Sequence, residues 1–222
     1  MTDGILPAGF QSSELPFNLR DFEFCITNLR DLPDDLDLKW FPGTYVIIEY
    51  SQLHTVPPSL LRIMPAYFSL GGNPISELPP EIFEIEGLTD LGIGDTGIRE
   101  LPQNVTQLSS TLITIFSAGT DISFFWPWVD GLLGRTSIRG VPRSIYAGGT
   151  AYCDDLERIR NGSAESFRAF PGTVYSTQLM DVTEAGSLGV IWSWVDCNPT
   201  VSGVSGPLYP LAAEDANNAI RY

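Results

Sequence analysis

Few residues in this chain are equipped for covalent or metal chemistry. There is one histidine, His54, and there are three cysteines, Cys25, Cys153 and Cys197. A catalytic histidine needs a nucleophile or carboxylate within hydrogen-bond reach, and nothing in the pattern around His54 supplies one. His54 therefore reads as a surface turn residue. A structural zinc site takes four Cys or His ligands at close spacing, and these four residues are scattered along the chain. Gly92-Ile-Gly94-Asp-Thr-Gly97 matches the dinucleotide fingerprint G-x-G-x-x-G. That site requires a helix opening at its last glycine. Pro102 follows too soon, and Ile93, Thr96 and Ile98 fit a repeating pattern of another kind. The acidic clusters Asp34, Asp35, Asp37 and Asp154, Asp155 lack the D-x-D-x-D-G loop that calcium uses. They read as solvated faces or as helix N-terminal charge. The chemistry thus points to no enzyme, no cofactor and no metal.

Charge narrows the partners. Lys plus Arg number 12 and Asp plus Glu 27, a formal net charge of −15. Nucleic acid and anionic membrane surfaces would be repelled, and a neutral or basic partner is favoured. The stretch from Leu112 to Gly134 is apolar but carries Asp121, Asp130 and Pro127, so no membrane insertion is expected. The opening MTDGILPAGF has no basic residue and no apolar run, and does not read as a signal peptide. The 21 glycines and 17 prolines argue for many turns rather than long helices.

The elements that organise these residues repeat. Leu29-Arg-Asp-Leu32-Pro33, Leu53-His-Thr-Val56-Pro57, Ile75-Ser-Glu-Leu78-Pro79 and Ile98-Arg-Glu-Leu101-Pro102 share the form L-x-x-L-P. Upstream of each lie an alternating apolar pair (Phe22 and Phe24, Val46 and Ile48, Phe68 and Leu70, Leu91 and Ile93) and then Thr27, Ser51, Asn73 or Thr96. Alternation predicts half-buried strands, the hydroxyl or amide can bond the following turn, and proline forbids a helix at the bend. A unit this short cannot bury its apolar face alone, so stacking is required. A fifth, degraded unit runs through Ile115, Ser117, Thr120, Ile122, Phe125 and Val129, with Trp126 in place of proline. A truncated sixth is read at Leu133, Thr136, Ile138, Val141-Pro142 and Ile145.

The chain resembles the leucine-rich-repeat family in its L-x-x-L-P form. The resemblance implies an α/β repeat solenoid, a short horseshoe with a parallel concave sheet, an irregular or 3-10 convex side and a non-repeat C-terminal cap. Residues 1–20 then form an N-terminal cap or lead-in, 21–147 the repeats, 148–198 the cap, and 199–222 a linker or tail. A short helix is expected over Asp154–Asn161, and a cap strand with buried faces around Trp192 and Trp194. The cap looks like those of leucine-rich-repeat surface proteins of microbial eukaryotes. That likeness implies a Cys153–Cys197 disulfide. With the sequons Asn104-Val-Thr106 and Asn161-Gly-Ser163, it places the protein at a cell surface or outside the cell, with Asn104 and Asn161 as glycosylation sites.

The resemblance also implies a binding module for a protein, peptide or glycan, met on the concave strands. The expected contact residues are Tyr45, Ile47, Glu49, Tyr50, Tyr67, Asp90, Asp95 and Phe116, with Tyr45 and Tyr67 as stacked neighbours. Ser69, Gly71, Gly72, Gly92 and Gly94 would leave a floor of backbone. Trp126 and Trp128 form a second candidate patch, or fill space where the repeat degenerates. Cys25 falls at an outward strand position, open either to pairing with another chain or to cover by the N-terminal cap. The alternatives are an intracellular cytoplasmic scaffold, with free thiols and unused sequons, and the sensor part of a receptor kinase.

Overall fold

The alternating segments become strands because an extended backbone sends Phe22, Val46, Phe68, Leu91 and Ile115 to one side, where they share a core. In the computed structural model, which describes residues 1–135, 144–168, 172–183 and 186–198, they are β1 (Asp21–Cys25), β2 (Tyr45–Glu49), β3 (Tyr67–Ser69), β4 (Asp90–Gly92), β5 (Thr114–Phe116), β6 (Ile145–Tyr146) and β7 (Val195–Asp196). All seven join in one sheet in chain order, and every pairing is parallel. Register keeps equivalent positions side by side: Phe22 with Val46, Val46 with Phe68, Phe68 with Leu91, Leu91 with Ile115, Ile115 with Ile145, and Ile145 with Val195.

Parallel neighbours need a crossover. Short helical turns carry it from β1 to β4 and again after β5, as 3-10 turns at Leu36–Leu38, Pro80–Glu84 and Pro127–Gly131 and as α1 (Pro58–Ile63), while the chain passes from β4 to β5 without one. The prolines open these turns rather than forbid them. Pro57 and Pro79 are N-cap residues with extended backbone, and Pro58 and Pro80 sit at the first helical position, where a missing N–H costs nothing.

A second column follows the strands. Ile26, Tyr50, Gly72, Asp95, Gly119 and Gly149 all have positive φ, which turns the chain out of the sheet. After them come Thr27, Ser51, Asn73, Thr96, Thr120 and Thr150. Thr96, Thr120 and Thr150 donate their hydroxyls to Ile93 O, Ser117 O and Ala147 O at 2.7–2.8 Å. Asn73 Nδ2 donates to Ile48 O and Leu70 O. Leu29, Leu53, Ile75, Ile98, Ile122 and Tyr152 then re-enter one continuous buried core.

Three expectations change. The sixth unit does not begin at Leu133: its strand is β6, and Ala147, Thr150 and Tyr152 take the positions that follow. The pattern therefore continues past Gly148, after a longer connection of which residues 136–143, including Thr136, Ile138, Val141 and Pro142, lie outside the described residues. The helix expected at Asp154–Asn161 is α2 (Ala151–Arg160), begun one turn earlier because Thr150 caps it by accepting Cys153 N. Trp192 and Trp194 lie on a helix and not a strand. They close α4 (Ser187–Trp194), which follows α3 (Thr177–Met180) and anchors itself through Ile191. Cys153 and Cys197 are bridged, with Cα atoms 5.6 Å apart, tying α2 to the residue after β7.

At the other end, the lead-in covers the first turn. Leu6 is in the core, Gly4 O accepts Arg30 N and Asp31 N, and Phe10 O accepts Trp40 Nε1. No helix among the described residues is long and apolar enough to cross a membrane. Residues 199–222 lie outside the described residues.

Candidate functional site

Period-two geometry sends alternate strand residues to the face opposite the core. Register then sorts that far face into rows. One row holds Asp21, Tyr45, Tyr67, Asp90 and Thr114. The next holds Glu23, Ile47, Ser69, Gly92, Phe116, Tyr146 and Asp196. A third continues from Cys25 and Glu49 past the strand ends, where Tyr50 N donates to Gly71 O, Asp95 N to Ala118 O and Gly119 N to Gly148 O. Along this third row, Gly71, Gly94, Ala118 and Gly148 offer nothing larger than a methyl group. No Lys or Arg occupies any of these positions, while Asp21, Glu23, Glu49, Asp90 and Asp196 do.

Register brings the eight expected contact residues onto this face and its rim, but not all as surface groups. Ile47, Glu49, Tyr67, Asp90 and Phe116 are buried, which corrects the expectation that all point freely outward. Side chains of one row stand about 4.8 Å apart and cover one another. Glu49, fully buried, accepts Ser69 Oγ. Asp90 accepts Thr89 Oγ1 at 2.6 Å. Phe116 stacks on Tyr146 with centroids 4.9 Å apart. Tyr45 and Tyr67 are neighbours as expected, at 5.4 Å, but their rings are tilted by 36° rather than stacked. Cys25 is half-buried and stands outside the disulfide.

Tyr50 and Asp95 form a feature the linear pattern did not predict. Both sit in the positive-φ column, and Tyr50 Oη donates to Asp95 Oδ2 at 2.8 Å across 45 residues of sequence. Gly72 between them and Gly119 beyond Asp95 make the contact fit. A Cβ on Gly72 would lie 2.3 Å from the Tyr50 ring, and one on Gly119 would lie 2.1 Å from Asp95 Oδ1. Burial, reinforced by the Asp95 carboxylate, pushes the Tyr50 phenol above its ordinary pKa and keeps it a hydrogen-bond donor. The signal that could have found this pair is the column itself, in which a tyrosine and an aspartate alternate with glycine.

The second patch is mostly interior. Trp126 is only 7% exposed and donates Nε1 to Leu101 O. Trp128 is half-buried against Phe83 and donates to Pro102 O. Trp126 takes the N-cap place that Pro57 and Pro79 hold in earlier units, with Pro127 opening the turn behind it. Trp126 also ends a groove of about 790 Å³ running beside Leu78, Arg99, Glu100 and Asn104. Asn104 and Asn161 are exposed. Thr106 of the first sequon is held by Glu84, while Asn161 Oδ1 accepts Ser163 N within the second. His54 is exposed, Asp37 and Asp35 pair with Arg62 and Lys39, and Asp155 is buried under Arg158 and Arg168 instead of forming a solvated face. Among the described residues no group of three or more His, Cys, Asp or Glu could hold a metal ion. No family model matches the chain, and no curated protein matches it.

Proposed function

We propose that this chain is a non-enzymatic recognition module of the leucine-rich-repeat kind, a short horseshoe whose concave strands bind an extended, basic protein or peptide segment. The reading rests on the parallel sheet, the repeated turn column and the L-x-x-L-P spacing. Its single strongest support is the far face: acidic side chains in every row and no Lys or Arg among them. Acids concentrated on one face steer a cationic partner and reject an anionic one. The exposed acids of the face and its rim, Asp21, Glu23 and Asp95, are the groups such a partner would meet. The disulfide supports an oxidising compartment, hence a cell-surface or extracellular setting, and the exposed Asn104 and Asn161 agree with it as glycan acceptors.

The test is binding of fluorescein-labelled hexa-arginine, with hexa-citrulline as the neutral counterpart, across a salt series. Binding of hexa-arginine alone is expected, weakening as salt shortens the Debye length from about 10 Å to about 3 Å. Glu23→Lys with Asp95→Lys, both at exposed positions, should abolish it. Equal binding of both peptides, or a charge-reversed variant that binds unchanged, overturns the reading.

A further inference from the structure

A groove of about 790 Å³ crosses three successive units on the flank of the solenoid, outside the far-face rows. The repeat itself lays its floor. Leu78 and Leu101 hold equivalent places in neighbouring L-x-x-L-P segments, and Gly97 N donates to Ile75 O to keep those segments side by side. Trp126 closes one end, its indole fixed by the bond from Nε1 to Leu101 O. Leu78 and Trp126 are 8% and 7% exposed, which leaves a thin apolar strip. The walls are polar. Ser76, Glu77, Glu100 and Gln103 stand exposed, and their side chains make no hydrogen bond or ion pair among the described residues. Arg99 meets Asp121 only at 3.8 Å. Two carboxylates and one guanidinium give a lining of mixed sign. Such a lining disfavours a strongly charged ligand and suits a neutral one that both donates and accepts. Asn104 singles out the occupant. It lines the groove, is exposed, makes no side-chain hydrogen bond among the described residues, and opens the sequon Asn104-Val-Thr106.

We propose that this groove seats the first sugars of a glycan carried on Asn104. A sugar ring presents C–H groups on its faces and hydroxyls around its rim. The faces match the strip of Leu78 and Trp126, and the hydroxyls match Glu77, Glu100 and Gln103. The bond is made by transfer from a lipid-diphosphate-linked oligosaccharide: Asn104 Nδ2 joins the anomeric carbon, the lipid diphosphate leaves, and the amide gives up one proton. The tether then holds the sugar at the groove at a millimolar effective concentration, so weak contacts are enough to seat it. Those contacts span three stacked units and exist only in the folded chain, so the seated glycan stabilises the stack. The inference rests on the cell-surface part of the proposed reading and not on its cationic partner.

The experiment compares the full chain secreted by a eukaryotic host, its glycans trimmed to the first N-acetylglucosamine, with the same chain from a bacterial periplasm, which adds no sugar. Peptide mass spectrometry reads occupancy, and a bare Asn104 overturns the inference. Asn161 is the internal control: it stands at the end of α2, away from the groove, with its Oδ1 already accepting Ser163 N. In the secreted chain Asn104→Gln should lower Tm by about 3 °C, the shift that a contact of ordinary hydrogen-bond size makes in a chain of this length. Asn161→Gln should leave Tm unchanged. In the bacterial chain both variants should melt with the wild type. If Asn104→Gln melts lower there too, the difference between the two hosts is the sugar's effect, and a zero difference overturns the seat. Glu77→Ala with Gln103→Ala, both exposed, should erase the glycosylated chain's gain and leave the sugar-free chain unchanged. Nuclear Overhauser contacts should join the N-acetyl methyl on Asn104 to the Trp126 ring or the Leu78 methyls. A gain that survives loss of Glu77 and Gln103, or an N-acetyl methyl that touches neither residue, overturns the seat. If the seat fails while hexa-arginine binds, the far-face reading stands alone. If the sugar is seated and hexa-arginine does not bind, the far-face reading fails and the seat stands.

Discussion

Gly72→Ala puts the rim geometry to a quantitative test. Gly72 has φ +68°, and an added Cβ would meet the Tyr50 ring at 2.3 Å. Two costs follow. The left-handed backbone costs a non-glycine residue about 1 kcal/mol. The clash forces the ring to another rotamer and breaks its bond to Asp95, which adds about 1–2 kcal/mol for a half-exposed contact. Gly43 supplies the control. It has φ +72°, and its Cβ would meet nothing within 4 Å, so Gly43→Ala carries the backbone cost alone. The entropic gain of alanine in the unfolded chain is common to both and cancels. For a chain of this length, 1 kcal/mol moves Tm by about 2–4 °C. Gly43→Ala should therefore lower Tm by about 3 °C and Gly72→Ala by about 8 °C, measured by circular dichroism with urea melts in parallel. In a Tyr50→Ala background the excess should vanish. An excess that persists there, or no excess at all, refutes the account of why glycine stands at position 72.

The remaining predictions concern the supports of the fold. Glu84 Oε1 accepts Thr106 N, Gln107 N and Thr106 Oγ1 at 2.9–3.2 Å, and Glu84→Ala should cost about 1 kcal/mol in urea unfolding. Those donors, the Thr106 N–H first, hold the Glu84 carboxyl below its ordinary value of 4.5. Its contribution is complete above that pH and fades as acid passes through the folded-state pKa, so the gap between wild type and Glu84→Gln should narrow below pH 4.5; a constant gap down to pH 2 refutes this. Cys153→Ser with Cys197→Ser opens a loop with a sequence separation of 44, for which chain entropy sets an upper value of about 4 kcal/mol; unchanged melting under reducing conditions would contradict it. Asp155 is 1% exposed and receives Arg168 N at 2.9 Å and Arg168 Nε at 2.6 Å. Asp155→Ala should cost about 2 kcal/mol, discounted for the exposure of its arginine partners, and a loss within 0.5 kcal/mol would place its weight elsewhere.

Strand register was legible because two local rules reinforce each other. Alternation marks Phe22 and Phe24 or Val46 and Ile48, and the hydroxyl or amide a fixed step later marks the turn. Where the step lengthened, the sequence misled: Thr120 and Thr150 are equivalent, but the connection between them is longer than the earlier ones, and a shorter unit was read into it. Trp192-Ser-Trp194 failed for another reason. Three residues cannot separate alternation from one turn of helix, and Leu188 and Ile191 complete the helical stripe. Burial on the far face was invisible because it depends on neighbours across strands. Glu49 is covered through Ser69, 20 residues on, and the Tyr50–Asp95 bond spans two turns of the column.

The distribution of charge argues that the far face answers to something beyond folding. The core is filled by one set of alternate residues, Phe22, Val46, Phe68, Leu91 and Ile115, and does not dictate what stands on the opposite side. Among the described residues, ion pairs stand in the connecting segments: Arg30 with Asp31, Lys39 with Asp35, Arg62 with Asp37, and Arg99 with Asp121. The far-face rows hold Asp21, Glu23, Glu49, Asp90 and Asp196 and no Lys or Arg. A face that gathers acids from row to row is one that a cationic partner matches, so Glu23→Lys, which leaves the Tyr50–Asp95 bond intact, should weaken hexa-arginine binding without lowering Tm; unchanged binding would refute the reading.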